Sequence, residues 1–182
     1  MFIDEEQKEK NKTRFLELLK STQREGIKEV ITFLENNDFF NLPSSLTRHH
    51  NWEGGLVQHC LGVYDRIKET AENLPEESLI LTALLHDICK AGKIYKIKDG
   101  EWGEKAEDEL EYPGHGKRSV DILEKNCGLK LNDSERQAIR WHMGGYNIPK
   151  DEIREFIASK NNNLKRLLIN ADRFDARHNG KV

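Results

Sequence analysis

The chain predicts an all-α fold, a bundle of helices with one small β-hairpin inserted near residues 93–105. Apolar residues recur at helical spacing through most of the 182 residues. Only the stretch from Lys93 to Lys105 breaks that period, alternating apolar and charged positions as a strand does. Neither an internal repeat nor a low-complexity tract interrupts the pattern.

Phe15, Leu18, Leu19 and Thr22 share one face of a first helix. Gly26 breaks it, and Ile27, Val30, Ile31 and Leu34 make the apolar face of a second. Residues 36–51 contain Pro43, paired serines and paired histidines, and read as a loop. Helix resumes near Glu53 and runs towards Thr70 on Leu56, Val63 and Ile67. Pro75 precedes the most apolar helix, from Glu77 to Ala91, which Gly92 stops. Ile94, Tyr95 and Ile97 then alternate among lysines, Asp99-Gly100 supplies a tight turn, and Glu101-Trp102-Gly103 leads back. Three further helices are expected, over Gly116–Asn126, Asp133–Met143 and Asn163–Ala176, with a minor one beginning near Pro149. Asn132 and Glu135 have capping-box spacing, and Gly144-Gly145 ends the helix that carries His142.

Composition narrows the function classes. A charged fraction of 34% against 36% hydrophobic describes a highly charged domain long enough to bury a core. A net charge of -3 offers no broad footprint for double-stranded nucleic acid or acidic lipid. No stretch approaches the ~20 apolar residues of a membrane span, and Met1 to Lys12 lacks the apolar segment of a secretory signal. Cys60, Cys89 and Cys127 show no CxxC spacing and fit a reducing compartment, so a cytoplasmic location is expected and the cysteines read as small buried hydrophobes.

The chemistry lies where histidines and aspartates meet these helices. Ala83, His86, Asp87 and Lys90 fall on one stripe of a helix whose other residues are nearly all apolar. Asp172 continues the inward face drawn by Leu164, Leu167, Leu168 and Ala171. His59 sits between Leu56 and Val63 on the inward side of its own helix. Isolated buried charges are costly, and a divalent cation is the simplest partner that satisfies two imidazoles and two carboxylates together.

The order His59, His86-Asp87, Asp172 resembles the signature of the HD-domain superfamily of metal-dependent phosphohydrolases. The neighbouring text is similar too: Gly54-Gly55-Leu56-Val57-Gln58-His59, Leu84-Leu85-His86-Asp87-Ile88-Cys89-Lys90, and Asn170-Ala171-Asp172. The resemblance implies an HD-domain helical bundle over residues 45–178, with residues 1–44 as an N-terminal helical extension. His115, in Pro113-Gly114-His115-Gly116, and His142, in Trp141-His142-Met143, match the two further histidines of binuclear members. The implied ligand set is therefore His59, His86, Asp87, His115, His142 and Asp172, with Asp87 bridging two divalent transition ions (iron, manganese, nickel, cobalt or zinc, or else magnesium).

By the same resemblance Asp87 and Lys90 are the catalytic candidates, Lys90 meets the phosphate as a point charge, and His50 contacts substrate from the loop before the first ligand helix. The implied activity is cleavage of a phosphate ester or anhydride of a nucleotide-like substrate by metal-activated water. The ligand set also suits a di-iron oxygenase of the same fold, or a catalytically silent nucleotide-binding module. The stretch around His59 is similar to an exoribonuclease of the superfamily and that around His142 to dinucleoside tetraphosphate hydrolases, so the substrate stays open, as does homodimer formation.

Overall fold

Asp4 opens the first helix, α1 (Glu5–Ser21), by accepting a hydrogen bond from the Gln7 backbone amide. The computed structural model describes residues 3–97, 101–111, 114–145 and 148–179 of the chain. Gly26, at φ 94°, turns the chain into α2 (Ile27–Asn36). The predicted loop after it carries a short 3₁₀ turn at Phe39–Asn41, and Phe39, Phe40 and Leu42 are buried. The Phe39 and Phe40 rings pack on Phe15 of α1 at 5.6 and 5.8 Å, a cluster too short to show as periodicity.

The body consists of α3 (Gly55–Thr70), α4 (Glu76–Leu85), α5 (His115–Asp121, drawn out by a π turn over Ile122–Asn126), α6 (Asp133–Arg140), the short α7 (Ile153–Ala158) and α8 (Asn163–His178). Helix α3 is central, packing on α4 and α8, while α6 packs on α5 and α8. Residues Ser78 to Leu85 of α4 are all buried, as its apolar sequence requires. One hydrophobic core joins Phe15, Leu19, Val30 and Leu34 of the first two helices to Leu56, Leu84, Ile139 and Leu168. No helix of the described residues is long and apolar enough to cross a membrane.

The hairpin forms as an antiparallel pair, β1 (Ile94–Lys96) and β2 (Trp102–Glu104), with Tyr95 opposite Gly103. The Asp99-Gly100 turn lies outside the described residues. Lys96 ties the hairpin to Glu53 at 2.7 Å.

Two helices end earlier than their periodicity suggests. The α4 helix stops at Leu85 and a 3₁₀ turn, Ile88–Lys90, follows; α6 stops at Arg140. In both cases a histidine takes the carbonyl three residues back. His86 Nδ1 lies 2.8 Å from the Ala83 oxygen and His142 Nδ1 2.7 Å from the Ile139 oxygen. A carbonyl near the end of each helix is satisfied by an imidazole, and the backbone turns away.

The capping box at α6 forms, with Glu135 Oε2 accepting from Asn132 N at 2.9 Å. Fully buried Glu135 also accepts from Ser78 Oγ at 2.7 Å and from Arg24 Nη2 at 3.0 Å, tying α2's approach, α4 and α6 together. Glu135→Ala leaves Asn132 N and Ser78 Oγ without this acceptor and leaves Arg24 with Glu77 and the Lys130 carbonyl alone. It is expected to cost about 3 kcal/mol, read by urea unfolding, because one partner of a buried ion pair is removed.

Candidate metal centre

Four elements converge on Asp87, which sits 3% exposed just past the end of α4. Its Oδ1 lies 2.7 Å from His115 Nε2 and 3.5 Å from His142 Nε2. Its Oδ2 lies 3.6 Å from His86 Nε2 and 3.9 Å from His59 Nε2. Asp172 completes the group, with Oδ1 3.3 Å from His59 Nε2. The rings of His59, His86, His142 and His115 form a continuous arc, with neighbouring centroids 5.0 to 5.3 Å apart. All six residues singled out in the sequence as metal ligands are thus brought together.

The helix α5 is what delivers His115. Ser119 Oγ donates to the His86 carbonyl at 2.6 Å, and Arg118 donates to the Cys89 carbonyl at 3.1 Å, so α5 grips the turn that carries Asp87. A Cβ on Gly116 would lie 2.1 Å from the Arg140 carbonyl oxygen. Only glycine lets α5 rest on the end of α6, where His142 stands.

The Nε2 atoms of His59, His86 and His142 are buried and have no hydrogen-bond partner. Each opposite nitrogen is engaged: Nδ1 of His86 and His142 with carbonyl oxygens, and Nδ1 of His59 with Asp175 Oδ2 at 2.7 Å. A proton on Nδ1 leaves a bare lone pair on Nε2, which is how a metal-ligating imidazole is prepared. Leaving such atoms unpaired in a dry site is otherwise expensive. The cluster therefore fits a divalent cation.

Electrostatics agree with a site built around charge. Burial pushes His86 down to about 4, so it is neutral. Burial opposes protonation of His59 too, but the nearby Asp172 and Asp175 carboxylates outweigh it and raise the group to about 9. His115 rises to about 10, burial being outweighed by Cys89 and Asp87. Burial would raise the Asp87 carboxyl, but Lys90, His86 and His115 hold it well below the usual carboxylate range. A divalent cation bound here would compete with protons for His59 and His115.

Lys90 is not a solvated lysine. Its Nζ donates to Asp87 Oδ2 and to the Ser44 carbonyl, each at 2.5 Å, at the floor of the cleft over Asp87. His50 requires a correction: it is 1% exposed and does not line that cleft. Its backbone takes a left-handed φ of 46° and its carbonyl accepts from Ser44 N, which turns the ring inward against Trp52 and His59. The neighbouring His49 lines the cleft instead.

Two residues escaped the sequence reading. Asp175 is 1% exposed and orients His59; its signal was its place three residues after Asp172, one turn along the same helix. Cys89, read as a plain hydrophobe, has Sγ 3.3 Å from His115 Nδ1. Its proximity to Asp87 in sequence was the only clue. Arg140, two residues before His142, pairs with Glu152 at 2.6 Å and lies on the Trp141 ring.

The HD-domain family model matches residues 56–177, which contain all six of the expected ligand residues. The chain belongs to the HD-domain family. A curated relative of this HD protein is the dihydroneopterin 2',3'-cyclic phosphate phosphodiesterase of Methanocaldococcus jannaschii, 31% identical over a match covering 48% of the HD protein and 43% of the relative. The match thus spans less than half the length of that relative. No solved structure matches this HD protein at a significant level.

Proposed function

We propose that the chain is a metal-dependent phosphohydrolase that cleaves a phosphate ester or anhydride of a nucleotide-like substrate at the centre around Asp87. The observation that carries this reading is the trio of buried, unpartnered Nε2 atoms on His59, His86 and His142, all facing one carboxylate. Asp87 presents Oδ2 to His59 and His86 and Oδ1 to His115 and His142, so it would be available to two ions at once. In this assignment His59, His86 and Asp172 would hold one ion and His115 and His142 the other. A donor set of imidazoles and carboxylates suits iron, manganese, nickel, cobalt or zinc better than magnesium.

Bound there, divalent cations supply Lewis acidity towards a phosphoryl oxygen and towards water. The chain's own residues do the rest. The Nδ1 hydrogen bonds to Asp175 and to the Ala83 and Ile139 carbonyls hold the imidazoles so that no reorganisation is needed during the reaction. Lys90, anchored on Ser44, keeps a positive charge at the cleft floor for a phosphate oxygen. The phosphodiesterase named among the relatives makes a phosphodiester the first substrate class to screen.

Metal content per chain, measured by inductively coupled plasma mass spectrometry beside a phosphate-ester screen, tests the proposal. About two ions per chain are expected, and His115→Ala should lower the content by about one. Unchanged content in that variant would reassign His115 to a structural role. A chain that takes up no transition metal on reconstitution would overturn the reading.

A further inference from the structure

The cleft over Asp87 has a volume of about 830 Å³, far more than one phosphate group needs. We propose that Arg48, Arg173 and Arg177 on its walls form a subsite for a second phosphate, so that the substrate is a phosphate ester carrying another phosphate group beyond the scissile one. This rests on the hydrolase reading of the cleft floor.

Among the described residues, four arginines make no hydrogen bond or ion pair through the guanidinium: Arg48, Arg154, Arg173 and Arg177. Three of the four line this one cleft, from two separate elements, the loop before α3 and the helix α8. The remaining arginines are committed elsewhere, Arg24 to Glu135 and Arg136 to Glu124 among them. Glu104, the acid on the β2 side of the cleft, is already held by Lys93 at 2.7 Å. In a chain of net charge -3, three uncompensated guanidinium groups around one opening are not a consequence of overall basicity.

Position and shape favour phosphate. Arg173 and Arg177 are one turn apart on α8, where like charges repel unless an anion lies between them. Arg177 is five residues beyond Asp172, about 7.5 Å of helical rise from the proposed metal ligand. A Cβ on Gly144 would lie 2.8 Å from Arg173 Nη2, so that glycine leaves room for the guanidinium beside the His142 turn. Apolar surface from Leu46, Ile94 and Met143 also lines the cleft and can carry the organic body of the substrate. A planar guanidinium fork binds a phosphate dianion in bidentate fashion, which an ammonium cannot do.

The test uses the metal-loaded full chain and isothermal titration calorimetry with α,ω-alkane bisphosphonates of increasing length against the matching monophosphonates, whose C–P bonds resist hydrolysis. Wild type is expected to prefer a bisphosphonate of suitable length. The Arg173→Ala/Arg177→Ala double variant should lose that preference by about tenfold per arginine, with monophosphonate affinity unchanged. Arg154→Ala, an equal loss of charge away from the cleft, should change neither affinity. Equal weakening of both ligand types by the double variant, or the same effect from Arg154→Ala, would mean diffuse charge and overturn the subsite. Monophosphonate binding without any bisphosphonate advantage would overturn the subsite alone. Absence of monophosphonate binding would remove the hydrolase reading beneath it as well.

Discussion

Asp87→Ala is expected to empty the metal centre and to lower phosphohydrolase activity by on the order of a thousandfold or more, the scale on which loss of a single transition-state charge stabiliser acts. No other residue of the cluster faces four histidines. Its two oxygens lie between 2.7 and 3.9 Å from the Nε2 atoms of His59, His86, His115 and His142, so its removal disconnects both halves of the proposed centre at once. Lys90 keeps the Ser44 carbonyl as a partner, and the capping interactions of His86 and His142 do not involve Asp87. The helical circular dichroism spectrum should therefore survive. Metal analysis and activity, measured with that spectrum on the same preparation, separate loss of the site from loss of the fold. Full activity in the variant would sink the assignment of the centre.

The parts of this centre that were legible in the sequence are those where a polar side chain interrupts an apolar period. His59 among Leu56 and Val63, and Asp172 after Leu164 and Leu168, stand out because helical spacing points them into the core. The ends of α4 and α6 were not legible. Periodicity extends a helix as long as the residues suit it, and the stop comes from an imidazole capturing a carbonyl, which spacing alone does not reveal. His50 was misplaced for a backbone reason: a left-handed φ at a non-glycine residue reverses the side chain, and the pair His49-His50 offers no cue as to which ring faces the cleft. Asp175 was hidden because its role depends on a contact between α3 and α8, residues 116 apart in sequence. The hairpin was legible because its alternation contrasts with the helices on either side.

That α3–α8 contact yields the second large effect, at residues that are not themselves proposed ligands. Asp175→Asn should weaken metal binding by about 10- to 100-fold, the usual cost of losing the group that orients a ligating histidine. The amide cannot carry the charge that holds the proton on His59 Nδ1, so the Nε2 lone pair is less firmly presented to the centre. Gly62→Ala should reach the same end from the opposite helix. A Cβ there would lie 2.2 Å from Asp175 Oδ1, so either the carboxylate rotates away from His59 or α3 and α8 separate. Overpacking of this kind costs about 1–3 kcal/mol, and the metal affinity should fall together with stability. The two variants differ in one respect that makes them informative together. Asp175→Asn keeps the packing and changes the hydrogen bond, whereas Gly62→Ala changes the packing first. Competition with a chelating dye gives the affinities and urea unfolding of the metal-free chain gives the stabilities. Weakened affinity in both variants, with the larger stability loss in Gly62→Ala, is the expected pattern. Wild-type affinity in Asp175→Asn would mean that the carboxylate serves packing alone and that α3 by itself orients His59.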